Sequence, residues 1–320
     1  MQTRELGTSG VQITPIITGT WQAGKRWWVG IEDADSIRAI RAAFDAGIRT
    51  VDTAEIYGDG HSEQIVAAAL SDVRHQVVYM TKVFASHLRY AQVLEACEGS
   101  LKNLKTDYID LYQIHWPSGA FGSEVVPIAE TMQAMTDLKQ QGKIRAIGVS
   151  NFSRAQLQEA AQYGRIDSLQ PPYSLFWRQV ESDALPFCLD HNMTVLAYSP
   201  LAQGLLTGKF GPNHQFDPAD VRATNKLFQG ETYVRAQAAL EQLRPIADRY
   251  QTSLANLALA WLIAQPQTCA ICGVRSAEQA IENAKAADLQ LSTDDLAAID
   301  RIGRTVTDHL DADPVLWNFS

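Results

Sequence analysis

Three short apolar runs in the sequence each end next to an ionisable residue. Asp52 ends the run IRTVD, Lys82 follows VVYMT, and His115 ends YIDLYQIH. Tyr57 lies shortly after Asp52, in the stretch VDTAEIYGDGHSE. A carboxylate, an amine, an imidazole and a phenol together form a set that can hold and move protons.

A phenol beside an ammonium group is a stronger acid than a free one. The ordinary pKa is about 10 for tyrosine and about 10.4 for lysine, so Tyr57 alone would be a weak acid near neutral pH. We expect Lys82 to lower the pKa of Tyr57, and Asp52 to keep Lys82 charged and in place. His115 would donate a hydrogen bond to a carbonyl oxygen or pass it a proton. The set predicts general acid catalysis by Tyr57.

Taken singly, each of these residues also has an ordinary structural explanation. Asp52 could cap a turn and Lys82 could extend to solvent, while His115 and Tyr57 could pack in the core. Their shared position at the ends of apolar runs favours the chemical explanation, if those runs are strands that end at one edge.

Eight predicted strands, separated by helical patterns, would bring these residues together. The strands are continuous apolar runs, which is typical of a parallel sheet covered by helices. They are predicted at residues 15–19, 48–52, 77–81, 108–115, 144–150, 168–170, 193–199 and 269–274. Eight such units predict a single (β/α)8 TIM barrel domain over residues 1–320, with its active site at the C-terminal ends of the strands.

Five segments are predicted outside the eight strands and the helices between them. The opening TRELGTSGVQITP predicts a β-hairpin at the end away from the active site. The polar segment 202–230, after the seventh strand, is predicted to be a functional loop over the top of the barrel. Helices are predicted at 276–286 and 292–303, the second beginning at the cap-like STDD. The tail, with Trp317 and Phe319, is predicted to fold over the mouth.

Composition and charge exclude several classes of partner. The chain has 320 residues, of which 46% are hydrophobic, and a net charge of −9. That charge would repel nucleic acid and anionic membranes, and the basic residues form no stripe. No signal peptide and no apolar stretch of about 18 residues is found, so we expect a soluble cytoplasmic protein without nucleic-acid or membrane partners.

The cysteines and histidines do not predict a metal site. Cys269 and Cys272 form a C-x-x-C, but in a strand-like run residues three apart point to opposite faces, which favours small buried residues. A metal-dependent hydrolase would need a ligand cluster at strand ends, and of the seven histidines only His115 ends a strand.

An ordered series of motifs covers nearly the whole chain. It comprises GTW at 19–21, VDTAEIYGDGHSE at 51–63, TK at 81–82, DYIDLYQIHWP at 107–117, GKIRAIGVSNF at 142–152, AYSPLAQGLLTGK at 197–209 and GVRSAEQAIENA at 273–284. In these motifs the sequence resembles the aldo-keto reductase superfamily. The resemblance implies a (β/α)8 barrel that reduces aldehydes and ketones with NADP(H), with Asp52, Tyr57, Lys82 and His115 as the catalytic tetrad.

The resemblance also implies a set of cofactor-binding residues. Asp52 belongs to it, Ser150, Asn151 and Gln170 would hold the carboxamide, and Tyr198 would stack on the nicotinamide ring. The other implied contacts are Gly19, Thr20, Trp21, Ser199, Leu201, Gly204, Lys209, Gly273, Arg275, Gln279, Glu282 and Asn283.

The positions of several of these residues independently suit a dinucleotide. Ser150, Gln170 and Tyr198 stand at or near predicted strand ends, on the same rim as the tetrad. GVRSAEQ follows the eighth strand and begins a helix, whose N-terminus favours a phosphate. Arg275 could contact a 2′-phosphate through two hydrogen bonds, although it could also be a solvated surface arginine. Many relatives have Lys-Ser where this chain has Gly273 and Val274, so NAD(H) stays open as an alternative cofactor.

The partner predicted is a small carbonyl substrate. Its contacts would be Trp21, Tyr57, His115 and Trp116, with Trp27 and Trp28 nearby in the loop KRWWVG. These aromatic residues would form an apolar pocket, although some could only seal the loop against the barrel. A second function fits the same resemblance, namely a dinucleotide-sensing module like the β subunits of potassium channels, with little turnover. The sequence does not predict the oligomeric state.

Overall fold

The predicted strands form a closed parallel barrel. The computed structural model describes residues 1–26, 28, 30–217 and 220–311. The strands in these ranges are β1 (Arg4–Glu5), β2 (Gln12–Ile13), β3 (Ile16–Gly19), β4 (Thr50–Asp52), β5 (Val78–Val83), β6 (Ile109–Ile114), β7 (Ile144–Ser150), β8 (Ser168–Gln170), β9 (Thr194–Ala197) and β10 (Thr268–Gly273). The barrel order runs from β3 to β10, and β10 pairs back onto β3. All eight predicted strands and the (β/α)8 fold class are confirmed.

Helices surround the barrel on its outer side. They are α1 (Asp33–Asp45), α2 (His61–Leu70), α3 (Tyr90–Leu104), α4 (Ile128–Gln140), α5 (Arg154–Ala160), α6 (Ala184–Asp190), α7 (Gly230–Arg249), α8 (Leu254–Ile263), α9 (Ala277–Lys285) and α10 (Thr293–Thr307). The two predicted C-terminal helices are α9 and α10, and Ser292 caps α10 by accepting from the Asp295 backbone N–H. Helices α7 and α10 pack on each other.

A hairpin closes one end of the barrel with apolar side chains. Strands β1 and β2 pair antiparallel, as predicted. Leu6 and Ile13 are fully buried in a cluster that also holds Met80 and Leu111 from the barrel strands. Because apolar side chains fill this end, the polar chemistry is left to the opposite one.

The two cysteines of the C-x-x-C lie in different cores. Cys269 belongs to the inner cluster with Leu6, whereas Cys272 belongs to the cluster between the strands and the helices. Both are buried and unbonded to another cysteine. The prediction of small packed residues on opposite strand faces is confirmed.

Two loops at the C-terminal end of the barrel touch at a pair of glycines. Gly58 has a left-handed backbone with φ of 64°, and a Cβ there would lie 2.3 Å from the carbonyl oxygen of Gly24. A Cβ on Gly24 would in turn lie 2.6 Å from the carbonyl carbon of Tyr57. Only glycine fits at both positions, so the turn after β3 and the loop after β4 are packed backbone to backbone.

Segment 202–230 follows β9 and therefore starts at the C-terminal end of the barrel. It contains short helical turns at Ala202–Thr207, Val221–Thr224 and Lys226–Phe228. Trp27 and the tail residues Trp317 and Phe319 lie outside the described residues. Within the described ranges, every helix is too short or too polar to cross a membrane.

Gly99 and Gly303 provide a matched pair of substitutions inside long helices. A Cβ on Gly99 would meet no atom within 4 Å, whereas one on Gly303 would lie 2.5 Å from Leu175 Cδ1 and 2.9 Å from the Leu175 carbonyl oxygen. We expect Gly99→Ala to raise the free energy of unfolding by about 0.5–1 kcal/mol. Gly303→Ala should lower it by about 1–3 kcal/mol because the helix must move. Urea unfolding of both variants checks this, and equal shifts would contradict it.

Candidate active site

A buried ion pair lies at the C-terminal rim of the barrel. Lys82, from β5, is fully buried, and its Nζ donates to Asp52 Oδ2 over 2.6 Å and to the Thr53 carbonyl oxygen over 2.6 Å. Asp52 ends β4 and is itself buried. Burial lowers the pKa of Lys82, and the Asp52 carboxylate opposes that shift. The strand therefore ends on an acid that holds the lysine in place.

Tyr57 and His115 lie beside this ion pair. Lys82 Nζ is 5.0 Å from the centre of the Tyr57 ring. The Tyr57 and His115 ring centres are 5.7 Å apart and meet edge to face at 77°. The structure thus brings together all four residues that the sequence predicted to converge.

The predicted direction of the Tyr57 pKa shift is wrong. Burial, reinforced by the Asp52 carboxylate, raises the pKa of Tyr57 well above 10. Asp52 offsets the charge of Lys82, and the lysine directs its hydrogen bonds to Asp52 and Thr53. Tyr57 therefore keeps its proton throughout the neutral range, as a proton donor must.

His115 is a neutral imidazole in this site. Burial and, secondarily, repulsion from Lys82 lower the pKa of His115 well below 6.5. Its Nδ1 is buried and has no hydrogen-bond partner among the described residues. A neutral ring donates a hydrogen bond to a substrate oxygen, so of the two roles predicted from sequence we retain hydrogen bonding.

The predicted carboxamide-binding residues form one connected network. Tyr198 donates from its hydroxyl to Asn151 Oδ1 over 2.9 Å, and Asn151 Nδ2 donates to the His115 carbonyl oxygen over 3.1 Å. Ser150 Oγ donates to the Gln170 carbonyl oxygen over 2.7 Å. Gln170 Nε2 reaches Asp52 Oδ1 at 3.0 Å. The network joins the ends of β7 and β8 and the residue after β9 to the ion pair.

Three cations, Lys209, Arg222 and Arg275, lie close enough to repel one another. Partial burial, followed by repulsion from Arg222 and Arg275, lowers the pKa of Lys209. The same two causes, with Arg222 as the repelling charge, lower the pKa of Arg275. Arg222 also pairs with Asp220 at 2.5 Å. Cations that repel one another in this way favour a bound anion such as a phosphate.

Arg222 was not predicted from the sequence. It lies in segment 202–230, where nothing in the sequence fixes the path of the chain. The only available signal was its positive charge in a segment predicted to be functional.

Two backbone features occur at the predicted phosphate end of the site. Ser199 has φ of 52° and Gly204 φ of 94°, so the chain between Tyr198 and Lys209 turns tightly. Helix α9 begins after Ser276, whose side chain caps it by accepting from the Gln279 N–H. Gln279 Oε1 also accepts from the Arg275 backbone N–H over 2.9 Å.

Three predicted positions near α9 differ from simple ligand contacts. Gln22 lies against Gly273, because a Cβ there would be 2.3 Å from Gln22 Nε2. Any side chain at position 273 would therefore require Gln22 to move. Glu282 already accepts from Asn256 Nδ2 at 2.9 Å, and Asn283 is buried.

Aromatic rings line the substrate side of the tetrad. The Trp21 ring centre is 6.4 Å from that of Tyr57 and 5.1 Å from that of Trp28. Trp116, which follows His115 in the chain, contacts Phe121 edge to face at 5.1 Å. Together these rings give the site apolar walls.

Phe84 was not predicted from the sequence, and neither was Phe121. The Phe84 ring centre lies 5.7 Å from that of His115 and 5.5 Å from that of Phe121, on which it stacks. Phe121 is 49% exposed and has φ of 56°. The clue for Phe84 was its position soon after Lys82, whereas Phe121 gave no clue, since it lies in a loop.

The residues present fit a dinucleotide. The three cations could bind its phosphates. Two buried atoms, Gln22 Oε1 and Trp28 Nε1, have no hydrogen-bond partner among the described residues. One is an acceptor and the other a donor, and a ligand with hydroxyl and phosphate groups could satisfy both.

Comparison with known proteins places the site in context. A sequence model described as the Aldo/keto reductase family matches residues 15–304. The chain is 37% identical to the aldo-keto reductase YhdN of Bacillus subtilis strain 168, over 98% of this chain and 96% of that protein. It is 36% identical to an NADH-specific methylglyoxal reductase of Escherichia coli K12, over 91% and 94% of the two chains.

A solved structure of another protein is similar to this chain in both fold and sequence. An aldo-keto reductase from Klebsiella pneumoniae, in complex with NADPH, superposes with a TM-score of 0.77 and 30% identity. The alignment covers 100% of this chain and 99% of that one.

The depressed pKa of His115 can be tested by titration. An unperturbed imidazole has a pKa of about 6.5. Because burial lowers the pKa of His115 well below that value, we expect its ring to stay neutral at pH 6 in the folded protein. The unfolded chain exposes this ring and lets it bind a proton. The free energy of unfolding should therefore be highest above about pH 6.5 and should fall as the pH drops below that value. NMR of ¹⁵N-labelled imidazole, assigned with His115→Gln, checks the charge state. A ring that titrates near pH 6.5 would refute the depressed pKa.

Proposed function

The chain belongs to the aldo/keto reductase family and is an NAD(P)H-dependent oxidoreductase that acts on carbonyl groups; within that chemistry, we propose that Tyr57 protonates the carbonyl oxygen. The observation that carries the proposal is the protonated Tyr57 phenol beside a neutral His115 and a buried Lys82–Asp52 pair. Product is an alcohol, and the reaction is reversible.

Each residue of the tetrad has a separate task in this proposal. The bound nicotinamide dinucleotide supplies the hydride. His115 donates a hydrogen bond to the carbonyl oxygen and so fixes its position next to Tyr57. Tyr57 gives up its proton as negative charge develops on that oxygen, since an alkoxide is a much stronger base than a phenolate. Lys82, 5.0 Å from the ring centre, stabilises the phenolate that remains, and Asp52 holds Lys82 there.

We propose NADP(H) as the main cofactor, with NAD(H) as a second one. Ser150, Asn151 and Gln170 would face the carboxamide, and Tyr198 would stack on the nicotinamide ring. Lys209, Arg222 and Arg275 would neutralise the phosphates. Two relatives support the pair of cofactors, since one is named as NADH-specific and one is a complex with NADPH. Gln22, which lies against Gly273, carries no charge, and this supports binding of both NADP(H) and NAD(H).

We propose that the substrate is a small aldehyde or ketone with an apolar or aromatic substituent. The carbonyl would lie between Tyr57 and His115, and the substituent would contact Trp21 on one side and Trp116 and Phe121 on the other. The E. coli relative is named as a methylglyoxal reductase, which supports small dicarbonyl compounds as a further substrate class.

We also propose that residues 1–320 act as one barrel domain in the cytoplasm, without nucleic acid as a partner. The net charge of −9 supports the absence of a nucleic-acid partner, since phosphate backbones would be repelled.

Tyr57→Phe tests the proton donor. The variant keeps the ring and loses only the hydroxyl, so we expect NADPH to bind within about threefold of wild type and turnover of a nitrobenzaldehyde to fall by about 10³-fold or more. Fluorescence titration gives the binding constant and steady-state assay gives kcat. Tyr163→Phe, on an exposed tyrosine, is the matched control.

The outcomes of this experiment also separate the enzyme from a sensor. Turnover by Tyr57→Phe within about tenfold of wild type would remove Tyr57 from the mechanism. Wild-type protein that binds NADPH but does not oxidise it with any aldehyde or ketone of a panel would favour the dinucleotide-sensing alternative.

Arg275→Gln tests the phosphate end of the site. A charged hydrogen bond to the 2′-phosphate is worth about 1.5–3 kcal/mol, so the Kd for NADPH should rise by about 10- to 100-fold. The Kd for NADH, which has no 2′-phosphate, should rise less than about threefold. Calorimetric titration measures both, and Arg301→Gln, at an exposed position, is the control. An equal rise in the Kd for NADPH and for NADH would mean that Arg275 does not contact the 2′-phosphate.

A further inference from the structure

Two buried glutamines contact the aspartate of the ion pair inside the barrel. Gln113, from β6, donates from Nε2 to Asp52 Oδ1 over 3.3 Å. Gln170, from β8, donates from Nε2 to the same oxygen over 3.0 Å and to Gln113 Oε1 over 3.2 Å. Both side chains are buried, and neither the tetrad chemistry nor the motif resemblance gives Gln113 a task.

The hydrogen bonds determine which way each amide faces. An ionised carboxylate only accepts hydrogen bonds, so the nitrogen of both amides must point towards Asp52. The amide oxygen of Gln113 then accepts the second hydrogen of Gln170 Nε2. With both of its hydrogens bonded, Gln170 must direct Oε1 away from the Asp52 carboxylate.

The rest of Gln170 is fixed by its backbone. Its carbonyl oxygen accepts from Ser150 Oγ at 2.7 Å and from the Asn151 N–H at 3.2 Å. The one freedom left is rotation of the side chain. Gln113 is the described residue that accepts the second Nε2 hydrogen, so without it a buried N–H would lack a partner. The Nε2 bond to Asp52 would remain, but the amide could rotate about that bond and offer its second N–H to a ligand.

A glycine makes room for Gln113. A Cβ on Gly148, in β7, would lie 2.9 Å from Gln113 Cγ and 2.4 Å from Ser168 Oγ. Any larger residue at 148 would displace the glutamine, so the sequence of the neighbouring strand is adapted to hold Gln113 in this position.

We propose that Gln113 is a positioning residue that orients the Gln170 amide, so that Gln170 presents a carbonyl oxygen to its ligand. An oxygen in that place selects an N–H donor, that is, a primary carboxamide such as that of nicotinamide. The inference rests on the proposed function, because it takes the nicotinamide ring to lie beside Gln170. It adds that the selection is set by a residue that does not touch the cofactor.

The sharpest probe is a pair of dinucleotides that differ at one group. NADP⁺ has a carboxamide with N–H donors, and its 3-acetylpyridine analogue has a methyl ketone there, which only accepts. We expect wild-type protein to bind NADP⁺ about tenfold more tightly, the factor that one hydrogen bond of ordinary strength gives. In Gln113→Leu, where Gln170 can turn its N–H outwards, the preference should fall below about threefold. Quenching of protein fluorescence gives both dissociation constants without any turnover.

A double-mutant cycle separates positioning from a general structural effect. Gln170→Leu should also lose the preference, and Gln113→Leu combined with Gln170→Leu should show no further loss, because Gln113 acts through Gln170. Gln64→Leu, an exposed glutamine bonded to Asn103, should keep the wild-type preference. Thermal unfolding of each variant reports whether it is folded at the titration temperature.

Failure of the inference and failure of the proposed function look different. If wild-type protein binds neither dinucleotide, the proposed function is wrong and the inference falls with it. If wild-type protein binds NADP⁺ with the expected preference and folded Gln113→Leu keeps that preference, the function stands and the role of Gln113 is refuted. Equal weakening of both dinucleotides by Gln113→Leu, with the preference unchanged, would also refute it.

Discussion

The burial of one ion pair constrains the whole C-terminal end of the barrel. Taking Lys82 and Asp52 out of water costs free energy that their mutual attraction repays only when the remaining hydrogen-bonding capacity is also satisfied. The structure meets that requirement with the Thr53 carbonyl on the lysine side and two glutamine amides on the aspartate side. The polar interior at this end contrasts with the other end, where Leu6 and Ile13 fill the barrel with apolar atoms.

The same burial sets the protonation states around the pair. A low-dielectric setting penalises a charged imidazole and a charged phenolate alike, so His115 stays neutral and Tyr57 stays protonated. Lys82 does not make Tyr57 a stronger acid in the resting site. Its contribution comes when charge moves to the phenol, and at that moment the ammonium is already in place.

The strand pattern made it possible to predict the barrel and the convergence of the tetrad. The paths of the loops and the electrostatics of the site could not be predicted from it. Parallel strands end at one rim, so Asp52, Lys82 and His115 had to converge once eight strands were recognised. Arg222 and Phe121 come from loops whose path depends on tertiary packing. The direction of the Tyr57 pKa shift depends on how deeply the ring is buried, and this is a property of the folded site.

The contact between Gly24 and Gly58 determines where the substrate pocket can be remodelled. It couples the turn that follows Trp21 to the loop that carries Tyr57, so a larger residue at either glycine would displace the acid together with one wall of the pocket. Phe121 comes from a different loop, the one after β6, and half of its surface is open. Substitutions that change the size of the accepted substrate should therefore be tolerated best around Phe121. The design of a variant for a new substrate should begin there.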